Sequence, residues 1–593
     1  MKTSSKLKFL VFLALMALIA KDVGASGIQV LNTSVTTNED RRSAQVAFTL
    51  AWDHSWRLAD GPANWDAAWV IIKYRTLPGD NWFHAYLSAT TAHHRMPSNA
   101  AMSLGPSRAV VGGANTTVQV GAFIHRNAAG SGTIVFENCE LRWDFTQNGL
   151  TGGEQVEVCV IAIEMVHIPE RRFFIGDHTS VGHFMRNRTN PTTTQNSIRA
   201  EDKVVEITAQ NAGIGVYFSN YHATLWNSGG NFTNNNNALY NGAIASTNVT
   251  PPGGPTPDDA NPGGRNNGTR VDLNLNNGHA SVVNANFPKG FSAFYCMKYE
   301  ITQGEYLQFL NKNLVAVKNS GTNGVYFSGA TAGRQAIRIK SGTGTANIPR
   351  EYELTTPSAA FLPASHLNTR DILAWLVWAG LRPMTELEFE KVCRGADAVP
   401  ATASLKPQYA WGSVQIANAA GFSNKGQANE APSNQDGNVA VSPIATASAI
   451  GGAANANLDG PMRSGGFATP VSSREKAGAT YYGVMEMSGN LWERAISIGV
   501  QLMANNYAGM SISGHGNGDT GPLADPDLPI GGGWPAVAST AGLGFRGGSY
   551  LDPADRARIS DRMFINANGT TRHVSFGGRG VRTTSPTAVV TGF

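Results

Sequence analysis

Between Ile28 and Ile163 the chain alternates with a period of two, and this pattern limits its fold more than any other feature. Val46, Phe48, Leu50 and Trp52 are interleaved with Ala47, Thr49 and Ala51. Successive side chains on a strand point to opposite faces, so such a run buries one face and leaves the other smaller or polar. Trp69–Tyr74, Val118–Ile124, Leu141–Phe145 and Val156–Ile163 read as further strands, and Asn127–Gly132 reads as a turn cluster between two of them. Short strands punctuated by turn signals predict an antiparallel β-sandwich over residues 27–163. His93 and His94 are adjacent, so on a strand they would face opposite ways. They are expected to be solvent-exposed, not paired on a metal.

Composition narrows the function classes. Charged residues make up 15% of the chain and the formal net charge is +4, which gives no electrostatic footprint for nucleic acid or acidic membranes. A hydrophobic fraction of 42% supports apolar cores, and 4 cysteines cannot staple 593 residues. Cys139–Cys159 and Cys296–Cys393 are the disulfide candidates, each pair lying in one expected domain; buried free thiols are the other reading.

Lys2, Lys6 and Lys8 precede an apolar run, Phe9–Ala20, which is followed by Val23, Gly24 and Ala25. A basic start, a short apolar stretch and small residues describe a secretory signal peptide over residues 1–26. The run is shorter than the about 20 residues that span a bilayer. A secreted, extracellular or cell-surface location follows as an expectation, with no membrane span.

Beyond about residue 178 the texture changes. Asn227–Asn277 carries Asn234–Asn237 and Pro251–Pro255 and reads as a long loop. A second Gly/Ala/Asn-rich stretch occupies Gln415–Asp459. Three helical segments are better specified: Thr302–Leu310, Thr369–Ala379 with Gly380 as its stop, and one starting at Thr385. In the last, Thr385 and Glu388 form a capping box, with Met384 and Phe389 spaced as a hydrophobic staple.

From here the residues resemble a known family. MVHIP (Met165–Pro169) followed by FIG (Phe174–Gly176), FYCMKYEIT (Phe294–Thr302), LRPMTELEFE (Leu381–Glu390) and YAWG (Tyr409–Gly412) are similar to motifs of the formylglycine-generating enzyme (sulfatase-modifying factor) family. GVMEMSGNLWE (Gly483–Glu493), FRGGSY (Phe545–Tyr550) and GGRGVR (Gly577–Arg582) continue the series in family order. The resemblance implies a loop-rich, C-type-lectin-like domain over 164–593, with insertions at about 178–285, 313–365 and 414–475. With the N-terminal sandwich, the expected class is α+β. The 66 glycines suit such a loop-built fold.

Enzymes of this family oxidise a sulfatase cysteine with a copper-holding cysteine pair just after the Gly-Gly-Ser-Tyr motif. Here those positions are Asp552 and Ala557, and no cysteine follows Cys393. Copper(I) and thiol redox chemistry need soft sulfur ligands, so neither copper nor the oxidase reaction is expected. The iron-binding branch uses a His-x3-His-x-Glu cluster, which the 13 histidines do not form. The resemblance also implies a calcium site, with carboxylates from Glu486 and Glu493 and carbonyls from Gly489 and Leu491.

Other candidates read more plainly. Asp552, Asp555 and Asp561 among Arg556, Arg558 and Arg562 suggest a salt-bridge lattice over an acid pair. His515–Asp519 reads as a Gly-rich turn or a metal or sugar site. Trp411 and Trp492 match core positions of the family, which leaves Trp534 as the aromatic ligand-binding candidate. The expected function is a non-catalytic binding or structural protein, self-assembling as a filament or coat subunit. The rivals are a lectin for surface glycans and a divergent enzyme of the same family.

Overall fold

The computed structural model describes residues 27–109, 117–177, 184–185, 205–210, 214–215, 217–218, 282–283, 287–319, 326–345, 347–396, 408–444, 450–452, 455–497, 514–518, 543–565 and 571–584. The expected signal peptide, the Asn227–Asn277 loop, Asp519 and Trp534 lie outside these residues. Among them the chain is β-rich with few helices, an α+β-like arrangement.

Two sheets dominate. β1 (Gln29–Thr37), β2 (Ala44–Arg57) and β6 (Gly130–Trp143) form a three-stranded antiparallel sheet in the order β1-β2-β6. The second sheet is built from β3 (Asp66–Thr76), β4 (Ala100–Leu104), β5 (Ala122–Arg126), β7 (Val156–Ile168), β8 (Phe294–Met297), β9 (Arg382–Thr385), β10 (Glu493–Ile496), β11 (Leu543–Arg546) and β12 (Gly580–Thr583). Its order is β11-β10-β9-β12-β8-β7-β3-β5-β4, with the short strand Phe83–His84 also paired to β3. β9 and β10 run parallel, Met384 opposite Ala495.

β7 joins the two halves of the chain. Val156–Val166 pair with Thr76–Asp66 of β3, and Met165–Ile168 pair with Met297–Phe294 of β8. The expected boundary at 163/164 therefore falls inside a strand, and both parts of the chain share one sheet.

β3 shows why its sequence is nearly continuous apolar while β2 alternates. Ala68, Val70 and Ile72 pack with Val46, Phe48, Leu50 and Trp52 of β2 and with Phe136 and Leu141 of β6. From the opposite face of β3, Trp69 and Ile71 pack with Phe309, Trp375 and Trp378 of the helices. A strand covered on both faces has no polar side to present. β6 begins at Gly130, where Arg57 pairs with Gly130 and Ser55 with Gly132, so part of the expected turn cluster is strand.

The helices are α1 (Gln303–Asn311), α2 (Val315–Asn319), α3 (Thr369–Trp378) and α4 (Glu386–Arg394). Thr302 and Thr385 cap α1 and α4 through reciprocal boxes with Glu305 and Glu388, satisfying N–H groups that have no partner within the helix. Asn368 caps α3 in the same way with Asp371. Gly380 takes φ +69 just past α3, where a Cβ would lie 2.6 Å from Val120 Cγ1. Met384 and Phe389 meet in one core cluster.

Two expectations change. All four cysteines are free thiols, so neither disulfide forms. Cys139 belongs to the core cluster shared by β2, β3 and β6, whereas Cys159 packs against the cluster that holds Phe309, Trp375 and Trp378 of the helices. Cys296 and Cys393 share a core but their thiols are not joined. His94 is not exposed: a 3-10 turn at Thr91–His93 replaces the expected strand. It turns His94 inward, where the Arg142 N–H donates to Nδ1 at 3.1 Å and Nε2 meets the Ser88 carbonyl at 2.9 Å.

Candidate functional site

The segment Glu486–Glu493 is folded by local backbone geometry before any side chain acts. Glu486, Gly489 and Asn490 all have positive φ, at 56, 80 and 66°. At Gly489 a Cβ would stand 2.5 Å from the Ala440 carbonyl, so only glycine fits. The Asn490 amide donates to Glu300 at 2.6 Å and its oxygen accepts from the Met462 N–H at 2.8 Å. The Leu491 N–H donates to the other Glu300 oxygen at 2.9 Å. Glu300 follows β8, so this carboxylate ties the turn to the large sheet. Sequence reasoning did not single out Glu300, whose partners lie some 190 residues away.

Glu300, Glu486 and Glu493 are buried carboxylates that influence one another electrostatically. Glu493 is paired with Arg579, Nε donating at 2.8 Å. Glu486 accepts the Gly465 N–H at 2.8 Å through one oxygen; its other oxygen is buried without a hydrogen-bond partner. Burial pushes Glu486 up to about 7 against the pull of Arg579. Burial, and then the charge of Glu493, raise Glu300 well above the usual carboxylate range. A buried orphan carboxylate oxygen beside further carboxylates is a donor set that suits a hard cation. Among the described residues no group of three or more His, Cys, Asp or Glu side chains is arranged to hold a metal. A cation here would therefore rely on the Gly489 and Leu491 carbonyls as well.

The segment after β11 carries the two positions compared above with the copper cysteines. Asp552 is fully buried. Its carboxylate accepts from Trp492 Nε1 at 2.6 Å, from the Gly451 N–H at 2.8 Å and from the Ser549 hydroxyl. Burial raises it to about 6, with those hydrogen bonds pulling the other way. Ala557 ends a 3-10 turn (Ala554–Ala557); its methyl sits in the core and its carbonyl accepts from Ser488 Oγ at 2.6 Å. Asp and Ala at these positions supply no sulfur ligand.

The neighbouring charges form a lattice, with partners other than simple sequence neighbours. Arg556 bridges Asp555 at 3.3 Å and Asp561 at 3.1 Å. Arg562 and Arg546 reach back to Glu386 and Glu390 of α4, at 2.6 and 2.7 Å, while Glu388 pairs with Arg382 at 2.6 Å. Each glutamate of this buried helix is thus met by an arginine. Asp552 is hydrogen-bonded by neutral donors, and Arg556 of the lattice lowers it electrostatically.

Trp411, Trp492 and His515 are held within the fold. Trp411 and Trp492 are buried in the core and offer no exposed face to a sugar. His515 Nε2 accepts the Thr583 N–H at 2.9 Å, which fixes it against the large sheet.

The model of the sulfatase-modifying factor enzyme 1-like domain matches residues 249–584, more than half of the chain. No curated protein matches it.

Proposed function

The chain belongs to the sulfatase-modifying factor enzyme 1-like family, and on that footing we propose that it is a non-catalytic member, secreted to act as an extracellular or cell-surface binding or structural protein. One observation carries the reading. The position resembling the first copper cysteine is Asp552, and its carboxylate is engaged by Trp492, Ser549 and Gly451. With Ala557 at the second position, neither of these two positions supplies a thiol for copper or for sulfur redox chemistry. The signal-like residues 1–26 support the location. In this reading the N-terminal sheets form a sandwich whose inner sheet continues into a C-type-lectin-like domain.

A test is direct. The protein is loaded with copper(I) in air and incubated with a cysteine-containing sulfatase peptide, and the peptide mass is followed. No aldehyde product is expected; conversion of the cysteine would end the proposal. Self-assembly is the structural form of the role, and only monodisperse monomers in light scattering at high concentration with calcium would remove it.

The cofactor proposed is calcium. Glu486 and Glu493, with the Gly489 and Leu491 carbonyls, would hold it, and it would offset the buried negative charge that Arg579 and Arg463 balance in part. Its contribution is to brace the turn.

A divergent enzyme is the second reading, favoured by one observation. Asp552, raised to about 6, lies next to Gly451, whose Cβ position is 2.7 Å from Ser575 Oγ, and that hydroxyl meets His573 Nδ1 at 2.7 Å. Perturbed carboxylates near a Ser–His pair mark candidate sites. A screen of ester and amide substrates showing turnover lost in Ser575→Ala would favour this reading over the first.

A further inference from the structure

His167 stands where β7 changes partners. Its N–H donates to the Trp65 carbonyl at 2.9 Å, just before β3, and across the ladder it pairs with Tyr295 of β8. Its ring lies flat on the Trp65 indole, 4.0 Å between centroids and 6° between planes, with the Tyr295 ring edge-on at 5.2 Å. Trp65 has three further contacts. Its Nε1 donates to the Tyr295 hydroxyl at 3.0 Å, the Arg57 guanidinium of β2 sits 4.4 Å from its ring, and the His125 ring of β5 is 5.1 Å away. His125 Nδ1 lies 3.0 Å from Arg57 Nη1 and 2.8 Å from the Arg126 carbonyl. Residues of β2, β5, β7 and β8 thus close on one indole, from both parts of the chain.

Nothing in this cluster compensates an added proton. His167 Nδ1 is buried without a hydrogen-bond partner. The charges that act on the rings are those of Arg57 on both, and of His125 and Lys391 on His167; no described carboxylate acts on either. Lys391 reaches in from α4, its ammonium held by the Pro169 and Phe291 carbonyls at 2.7 and 3.1 Å. Tyr295, also titratable, has its hydroxyl engaged by Trp65. An imidazolium formed here would meet cations and no counter-ion, a costly arrangement for a buried charge. We propose that the Trp65 cluster is an acid-sensitive lock between the N-terminal strands and β8: its two neutral imidazoles hold the junction, and their protonation loosens it. Burial is the first cause that lowers His125 to about 4 and His167 to about 3, and the Arg57 charge adds to both. A histidine whose folded value lies below its unfolded value of about 6.5 binds fewer protons when folded. Its stability contribution is therefore present above that value and is lost as pH falls toward the folded one. The raised carboxyl of Asp66 acts with the opposite sign, so parent and variant must be compared at each pH.

The test is urea unfolding of the full-length protein and of His167→Phe, which keeps an aromatic ring on Trp65 and cannot charge. A ring that stays neutral when folded and takes up a proton normally when unfolded lowers the folding constant about 30-fold between about pH 7.5 and pH 5. The parent is expected to lose about 30-fold in folding constant relative to His167→Phe over that interval. A relative loss under about threefold, or one of opposite sign, overturns the lock. Histidine-selective NMR on the folded parent gives an independent reading, the His167 signal being identified by its absence from the variant. That ring is expected to remain neutral at about pH 5.5; titration near about 6.5 without unfolding overturns the inference. Should His167→Phe fail to fold, His167→Gln replaces it in both measurements. The lock does not rest on the reading of the Asp552 site, and aldehyde formation in the copper assay would leave it standing.

Discussion

Lys298 offers the sharpest test of whether the two parts of the chain stand or fall together. It follows β8, and its ammonium lies 2.5 Å from Glu164 of β7 and 3.9 Å from Asp66 of β3, above the Trp56 ring at 4.6 Å. All three groups are buried. Asp66 is raised to about 6 by burial even with Lys298 opposing the shift, and it accepts from Trp52 Nε1 at 2.9 Å and Ser55 Oγ at 2.8 Å. Lys298→Met keeps most of the side-chain volume and removes the cation between two buried carboxylates. Breaking a buried ion pair by deleting one partner costs about 3–5 kcal/mol, because desolvation of the remaining charge is no longer offset. The pH dependence has a definite sign. A carboxyl whose folded pKa lies above its unfolded value binds more protons when folded, so its stability contribution is present at low pH and is lost as pH rises through the folded value. The variant's deficit should therefore be smaller below pH 5 than at pH 8. Urea unfolding of parent and variant at both pH values, followed by tryptophan fluorescence, reads the difference. Because β7 belongs to both parts, one cooperative transition is expected. A deficit under about 1 kcal/mol at pH 8, where about 3–5 is expected, would refute the reasoning, as would a deficit that grows on acidification.

Three further outcomes follow from the site and the core. Calcium should raise the melting temperature of the parent and leave that of Glu486→Ala/Glu493→Ala unchanged; equal shifts, or none in the parent, would remove the proposed ion. Gly489→Ala should cost about 1–3 kcal/mol by urea titration, the range for holding a non-glycine residue in strained backbone, because its Cβ would stand 2.5 Å from the Ala440 carbonyl at φ +80; an unchanged midpoint would mean that the turn relaxes freely. Cys139, Cys296 and Cys393 are buried, with burial as the first cause raising each thiol. They should resist a thiol reagent until the chain unfolds, and then react without prior reduction.

Local chemistry was readable where both partners lie within a few residues. Thr385 and Glu388 are three positions apart, so a capping box and its helix start can be written from the letters alone. The period-two run of β2 survived because one face of that strand meets a core. What could not be read depends on distant partners. Nothing near Glu386, Glu388 and Glu390 says that all three are buried, since Arg562 and Arg546 come from 176 and 156 residues away. The shared sheet was hidden for the same reason: β7 pairs with β3 on one side and, over its last residues, with β8 on the other. His94 was misplaced because a single 3-10 turn redirects a side chain that the alternation had assigned to solvent. At the candidate site, Asp552 was noticed for what it replaces; its bond to Gly451, 101 positions away, was not foreseeable.

The three donors on that carboxylate also limit what else position 552 can hold. Suppose cysteine stood there. The Trp492 indole N–H, the Ser549 hydroxyl and the Gly451 amide would face a thiol, a weak acceptor, in place of a carboxylate. Each buried donor left unsatisfied costs about 1–3 kcal/mol, and the second cysteine would still be missing. Asp552→Cys is therefore expected to lower stability, and under the proposed non-catalytic reading it confers no activity by itself.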